Sequence, residues 1–207
     1  MDMHGNTVGS RGSLSLRQEA ILVGKILGDG CLEKNGNHVR LKIEQSDKQK
    51  EYVLWLYEQF NPFVGGFPKA VLHTGWGKET KRWRFATRSL SLFDKYLELF
   101  YVQKRKCIPS TISSFLYTPL TLAVWYMDDG YVRTDKSGAY LCTSSFTIPE
   151  HQQLQYVLIQ NFDIHTSIHF AGKYARLHIP SRDLRKFMNI IKPHIVNCMR
   201  YKLSLTP

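Results

Sequence analysis

Apolar and polar positions along this chain follow two periods that alternate. Leu16, Ala20, Val23 and Leu27 recur at helical spacing over 15–27, with Ser13 or Ser15 placed to cap the start. Beyond Gly30 the period drops to two. Lys34-Asn35-Gly36-Asn37 is a turn, and after it Val39, Leu41 and Ile43 point one way while Arg40, Lys42 and Glu44 point the other. A helix over 48–60 carries Tyr52, Leu56 and Phe60 on one stripe and stops at Asn61-Pro62. Strands follow over 67–73 and 81–87, with Trp83 and Phe85 alternating against Arg82 and Arg84, and a helix over 90–101 closes the unit.

After a connector over 102–119, which holds Lys104-Arg105-Lys106, the order repeats. A helix over 120–129 leads into a hairpin with its turn at 135–138. A helix over 149–162 has Pro149 in its first turn. Strands over 165–170 and 174–179 and a helix over 182–191, stopped by Pro193, complete it. Helix, two strands, helix, two strands, helix therefore occurs twice. The reading is a mixed α+β chain of two pseudo-symmetric αββαββα units with antiparallel sheets. Its parts are a tail at 1–14, a first half at 15–103, a connector at 104–118 and a second half at 119–207.

The two halves open on stretches of one shape. Leu22-Val23-Gly24-Lys25-Ile26-Leu27-Gly28-Asp29-Gly30 is matched by Leu122-Ala123-Val124-Trp125-Tyr126-Met127-Asp128-Asp129-Gly130. Downstream spacings agree: Gly30 to Gln45 is 15 residues and Gly130 to Ser144 is 14, while Asp29 to Lys106 is 77 and Asp129 to Lys202 is 73. A duplicated unit packs most simply about a pseudo-two-fold axis. Gly24 and Gly28 lie four apart on one face, each costing about 1 kcal/mol relative to Ala in a helix. A pair of them calls for close approach of another backbone, that of the second motif helix. Gly30 reads as a left-handed residue ending the first helix.

One Asp-Gly after a helix is ordinarily a cap and turn; two copies at matched spacing are read as chemistry. Both carboxylates fall at helix C-termini, where the dipole is already negative. Packed side by side, they repel and need compensation. Divalent cations with oxygen ligands supply it, and magnesium suits a few carboxylates together with water and substrate phosphate. Asp128 lies 100° around the helix from Asp129 and reads equally as a helix-end or solvent residue.

Composition narrows the partner. With 43% hydrophobic and 13% aromatic residues the chain can bury a core, and its net charge of +11 favours an anionic partner. No apolar run approaches the ~20 residues of a membrane span, and the polar, Gly-rich start carries no signal-peptide core. Cys31, Cys107, Cys142 and Cys198 form no C-x-x-C pair, which argues against a zinc module or disulfide framework. Arg40, Lys42, Arg82, Arg84, Arg176 and His178 fall on the polar sides of strands, not along an amphipathic helix. Two such sheets form a basic trough for nucleic acid rather than a membrane-binding face. His165 and His169, four apart in a predicted strand, read as groove-facing rather than as metal ligands.

At the twin nine-residue stretches, and in Lys106-Cys107-Ile108-Pro109, Thr143 to Thr147, Ile191-Lys192-Pro193 and Tyr201-Lys202-Leu203, the chain resembles the LAGLIDADG homing endonucleases of the single-chain, two-motif type. The resemblance implies motif helices at the interface between the halves and sheets forming a DNA-binding saddle. It implies a monomer that cuts both strands of a long, asymmetric, pseudo-palindromic duplex across the minor groove, leaving short 3′ overhangs. The family's metal-binding acid falls on Asp29 and Asp129, with Gly28 and Asp128 joining the metal set. Its basic residue near the scissile phosphates falls on Lys106 and Lys202, and its water-orienting residue on Gln45, with Ser144 as the departing counterpart. Lys25 stands where the motif is usually apolar. DNA contacts are expected from Arg40, Lys42, Arg82, Arg84, Arg88, Arg133, His165, Arg176 and His178. The implied cofactor is Mg2+, with Mn2+ or Ca2+ standing in for binding. The implied setting is intracellular: an organelle, chloroplast or mitochondrion, or a bacterial cytoplasm. Two alternatives stand: an RNA maturase that binds intron RNA and assists splicing, and a DNA-binding regulator without cleavage.

Overall fold

A computed structural model describes residues 12–75 and 78–203; of the segment read as a tail, residues 1–11 lie outside the described residues. Helix α1 (Leu16–Leu27) starts at Ser15, whose hydroxyl accepts the Gln18 amide while the Gln18 side chain accepts the Ser15 N–H. This reciprocal cap satisfies two of the four N–H groups a helix start leaves open. The hairpin β1 (Cys31–Asn35) and β2 (His38–Ser46) follows, then α2 (Lys50–Phe60), β3 (Lys69–Gly75), β4 (Lys78–Ala86) and α3 (Asp94–Phe100). The second half runs α4 (Pro119–Asp129), β7 (Gly130–Val132), β8 (Gly138–Leu141), α5 (Ile148–Phe162), β9 (Ser167–Ala171), β10 (Tyr174–Pro180) and α6 (Ser181–Ile191).

Each half builds one antiparallel four-stranded sheet, ordered β1-β2-β4-β3 and β7-β8-β10-β9. Val39, Leu41 and Ile43 turn inward onto α2 and α3, as the alternation predicts, and Arg40, Lys42 and Glu44 turn outward. Helices α1 and α4 pack against each other through the middle of the molecule. Between Ala20 and Leu27 on α1, and Leu120 and Asp128 on α4, every residue is buried. They come close at Gly24, where a Cβ would stand 2.7 Å from both the Thr121 carbonyl oxygen and the Val124 Cβ. That spacing leaves room for glycine alone.

Four readings change. The helix placed over 90–101 shrinks to a 3-10 turn at Ser91–Phe93 and α3, because Leu90 is taken by the sheet: its N–H donates to the Val39 carbonyl. The connector begins inside an element of structure. Residues β5 (Tyr101–Val102) and β6 (Arg105–Lys106) form a two-stranded ladder that straddles the boundary drawn at 103/104 and holds Lys106. His165 precedes β9 rather than belonging to it, and faces the Asp183 carboxylate at 3.7 Å. Gly30 is not left-handed. It is small because a Cβ there would stand 2.7 Å from the Lys25 carbonyl oxygen, which its own N–H approaches to 2.7 Å. Among the described residues no helix is long and apolar enough to cross a membrane.

Candidate active site

The two helix ends bring five of the expected residues together. Asp29 follows α1 by two residues and is exposed, while Asp129 is the last residue of α4 and half-buried. Gln45, on the inward face of β2, donates its amide to Asp29 Oδ2 at 3.0 Å. Two lysines enter from opposite sides. Lys106 Nζ donates to the Gly28 carbonyl, and Lys202 Nζ donates to the Asp128 carbonyl at 2.8 Å. Lys202 sits in a 3-10 helix (Asn197–Leu203) anchored by the Tyr126 hydroxyl, which donates to the Lys202 carbonyl at 2.8 Å. Each lysine thus bonds the carbonyl of the residue before a motif acid, and the pseudo-symmetry of the sequence becomes one of chemistry.

The electrostatics are those of crowded acids. Asp129 is pushed up to about 7 by burial first, then by the Asp29 and Asp128 charges, with Lys106 and Lys202 opposing. Burial pulls both lysines below their ordinary range, while all three acids pull each one back up. Asp128 is fully buried and pushed up by that burial, against the pull of Lys25, whose Nζ stands 2.6 Å from its carboxylate. A carboxylate whose charge is costly invites a hard cation. Among the described residues no group of three His, Cys, Asp or Glu side chains has metal-site geometry. The oxygens at hand for a metal are the Asp29 and Asp129 carboxylates, which fit magnesium with water and phosphate completing the set, while the Gly28 and Asp128 carbonyls beside them accept from Lys106 and Lys202. The Asp128 carboxylate, by contrast, is committed within the protein.

The Asp129 shift has a stability consequence. A carboxyl raised from 3.8 to about 7 on folding contributes stability that is fully present below pH 3.8 and lost as pH rises to about 7. In EDTA, Asp129→Asn should therefore raise Tm increasingly between pH 4 and pH 7 and level off above. The ceiling is about 4 kcal/mol, at ~1.4 kcal/mol per unit. A Tm difference that does not change with pH would contradict this.

Register corrects one reading. Leu141 of β8 pairs with Gly130 and Leu177, and Ile43 holds the same place in the first sheet opposite Phe85. The counterpart of Gln45 is thus Thr143, not Ser144. The second hairpin is two residues shorter, and a difference of two keeps the face where a difference of one flips it. Thr143 is buried and bonded to His151 Nε2 at 2.7 Å, so it does not touch Asp129, and Ser144 is exposed.

The outward sheet faces hold most of the expected DNA contacts. Arg40, Lys42, Arg82 and Arg84 share a face with Lys69, which pairs with Arg84 across strands. Acids temper that face: Glu33 bridges Arg40 at 2.5 Å and Lys42 at 3.3 Å, and Glu44 bridges Arg82 at 3.2 Å. Arg88 is committed elsewhere, to the Pro62 carbonyl at 2.7 Å. On the second sheet Arg176 lies 3.9 Å over the Tyr140 ring and donates to the Tyr131 hydroxyl. Arg133 donates to the Tyr140 hydroxyl, and His169 stacks on His178 at 4.2 Å. Among the described residues, buried Arg176 Nε and His178 Nε2 have no hydrogen-bond partner. Tyr131, Tyr140, Lys69 and the Lys25–Asp128 pair were missed. The alternation that singled out Arg176 and His178 extends to Tyr140, its cross-strand neighbour, but only the register shows it.

Two pseudo-symmetric halves, each with an acid at the end of a central helix and a basic lysine beside it under an outward sheet face, define a two-motif endonuclease architecture. The sequence profile described as the LAGLIDADG DNA endonuclease family matches residues 19–187, and the chain belongs to that family. It is 30% identical over 211 residues to the DNA endonuclease I-ChuI of Chlamydomonas applanata, covering 93% of this chain and 96% of that one. It is 30% identical over 194 residues to the cytochrome b mRNA maturase bI2 of Debaryomyces hansenii, covering 89% of this chain and 72% of that one. Among solved structures, the homing endonuclease I-WcaI bound to its DNA recognition sequence superposes with a TM-score of 0.88 at 28% identity, covering 100% of this chain and 98% of that one.

Proposed function

We propose that this chain is a magnesium-dependent homing endonuclease, acting as a monomer, that makes a site-specific double-strand break in a long asymmetric DNA target and leaves short 3′ overhangs. The observation that carries the reading is the convergence of Asp29 and Asp129 from the two central helix ends, each flanked by a lysine on the preceding carbonyl. Asp29 and Asp129 would hold the metal, joined by the Gly28 and Asp128 carbonyls as Lys106 and Lys202 turn from them to phosphate, and it would supply charge stabilisation at the scissile phosphates and a more acidic water. Gln45, already bonded to Asp29, orients water at the first acid. Lys106 and Lys202 then stabilise charge developing on the phosphates. Arg40, Lys42, Arg82, Arg84, Arg133, Arg176 and His178 line the saddle and hold the duplex.

The test is a cleavage assay on a randomised duplex library with magnesium and with EDTA. Enrichment of one long asymmetric sequence among magnesium-dependent cuts is expected. No cutting, beside tight binding to a structured intron RNA, would replace this reading with the maturase one, which the similarity to the D. hansenii protein favours. Salt provides a second expected outcome. With six or more basic residues meeting phosphates, log K for the target should fall against log salt with a slope of about −5 or steeper. A flat response in a titration from 50 to 200 mM salt would contradict the saddle.

A further inference from the structure

Lys25 is a wholly buried lysine that the proposed chemistry does not use. Its Nζ lies 2.7 Å from Asp128 Oδ1 and 2.6 Å from Oδ2, and 5.1 Å from the centre of the buried Tyr52 ring. The pair crosses the interface between the halves, and it has no counterpart. Trp125 stands at the position matching Lys25, and Gly28 at the position matching Asp128. The missing side chain at Gly28 is what makes room: a Cβ there would stand 2.5 Å from Asp128 Oδ2.

The two motif helices also end differently. Helix α4 runs through Asp129, and the Gly130 N–H still reaches back to the Tyr126 carbonyl. Helix α1 stops at Leu27. The Gly28 N–H takes the Gly24 carbonyl and the Gly30 N–H takes the Lys25 carbonyl, which leaves the N–H of Asp29 between them. Asp128 Oδ2 accepts it at 2.9 Å, across the interface, while Oδ1 lies 3.5 Å from the Gln45 amide. An N–H left open at the residue that carries a catalytic carboxylate leaves that carboxylate free to wander.

We propose that Lys25 and Asp128 are positioning residues for Asp29. Asp128 holds the Asp29 backbone and steadies Gln45, and Lys25 neutralises and fixes Asp128 so that it holds rather than competes. This rests on the endonuclease reading above. The first acid is thus held by the second half of the chain, whereas the second acid is held by its own helix.

The test uses neutral pairs, because removing one ion alone strands the other in the core. Lys25→Met with Asp128→Leu keeps volume and removes the acceptor. Lys25→Met with Asp128→Asn keeps an acceptor for the Asp29 N–H. The Met/Leu protein is expected to keep or gain Tm and to bind target DNA in calcium within about twofold of wild type. It should cut in single turnover about 10–100-fold slower, as loss of groups that orient a metal ligand does elsewhere, with a higher magnesium concentration at half-maximal rate. The Met/Asn protein should recover most of the rate. Wild-type cutting by a folded Met/Leu protein would overturn the proposal, and so would equal loss in both pairs. Amide exchange at Asp29 in the wild type is a measurement that needs no variant: protection is expected, and exchange at the free rate would overturn the proposal. Failure of wild type itself to cut any duplex would instead remove the endonuclease reading.

Discussion

Asp29→Asn and Asp129→Asn should each abolish double-strand cleavage, lowering its rate by about 10²–10³-fold or more, the scale of losing one group that stabilises transition-state charge. Neither should change target affinity by more than about threefold. Each substitution removes the charge of one of the two acids that meet at the motif-helix ends. Neither touches the outward faces of β2, β4 or β10, where the basic residues lie. Gel-shift titration in calcium and single-turnover cleavage in magnesium separate the two effects. Unimpaired cutting by either variant would remove the metal assignment. Equal loss of binding and cutting would mean that the acids are structural.

Gly24→Val should disrupt the packing of the two motif helices strongly. Its Cβ would stand 2.7 Å from a backbone carbonyl and 2.7 Å from another Cβ, neither of which is the far end of a flexible chain. The helices must part, and overpacking of this kind costs about 3 kcal/mol. For a chain of this size that lowers Tm by about 6–12 °C. Since Asp29 follows α1 and Asp129 ends α4, cleavage should fall beyond what the unfolded fraction explains. Gly66→Ala serves as the control, because nothing stands within 4 Å of its Cβ position. A Gly24→Val protein that melts with the control would contradict the close packing of the motif helices.

What could be read in the sequence was what periodicity and repetition encode. The strand alternation at Val39, Leu41 and Ile43 specifies a buried face outright, the twin Asp-Gly ends single out both acids, and the family resemblance adds the two lysines that the structure brings beside them. Relations between segments distant in sequence were hidden. Asp128 was ambiguous because a carboxylate at the end of an apolar helix has the same local pattern whether it meets solvent or a lysine. Its partner lies 103 positions away. Lys25 read as a departure from an apolar motif, when it is half of a neutral pair inside the interface. Thr143 was misjudged for Ser144 because counting residues from a glycine ignores face parity. Leu90 was placed in a helix because its pairing with Val39 is a sheet contact between segments far apart in sequence, which no local propensity reports.

The central claim is that one composite centre at the two helix ends serves both strands. Sequencing both ends of every cut made on the selected duplex, in magnesium and in EDTA, tests it most directly. The account predicts magnesium-dependent breaks in both strands at a fixed stagger that leaves short 3′ overhangs. Blunt ends, 5′ overhangs, or cutting that persists in EDTA would contradict it.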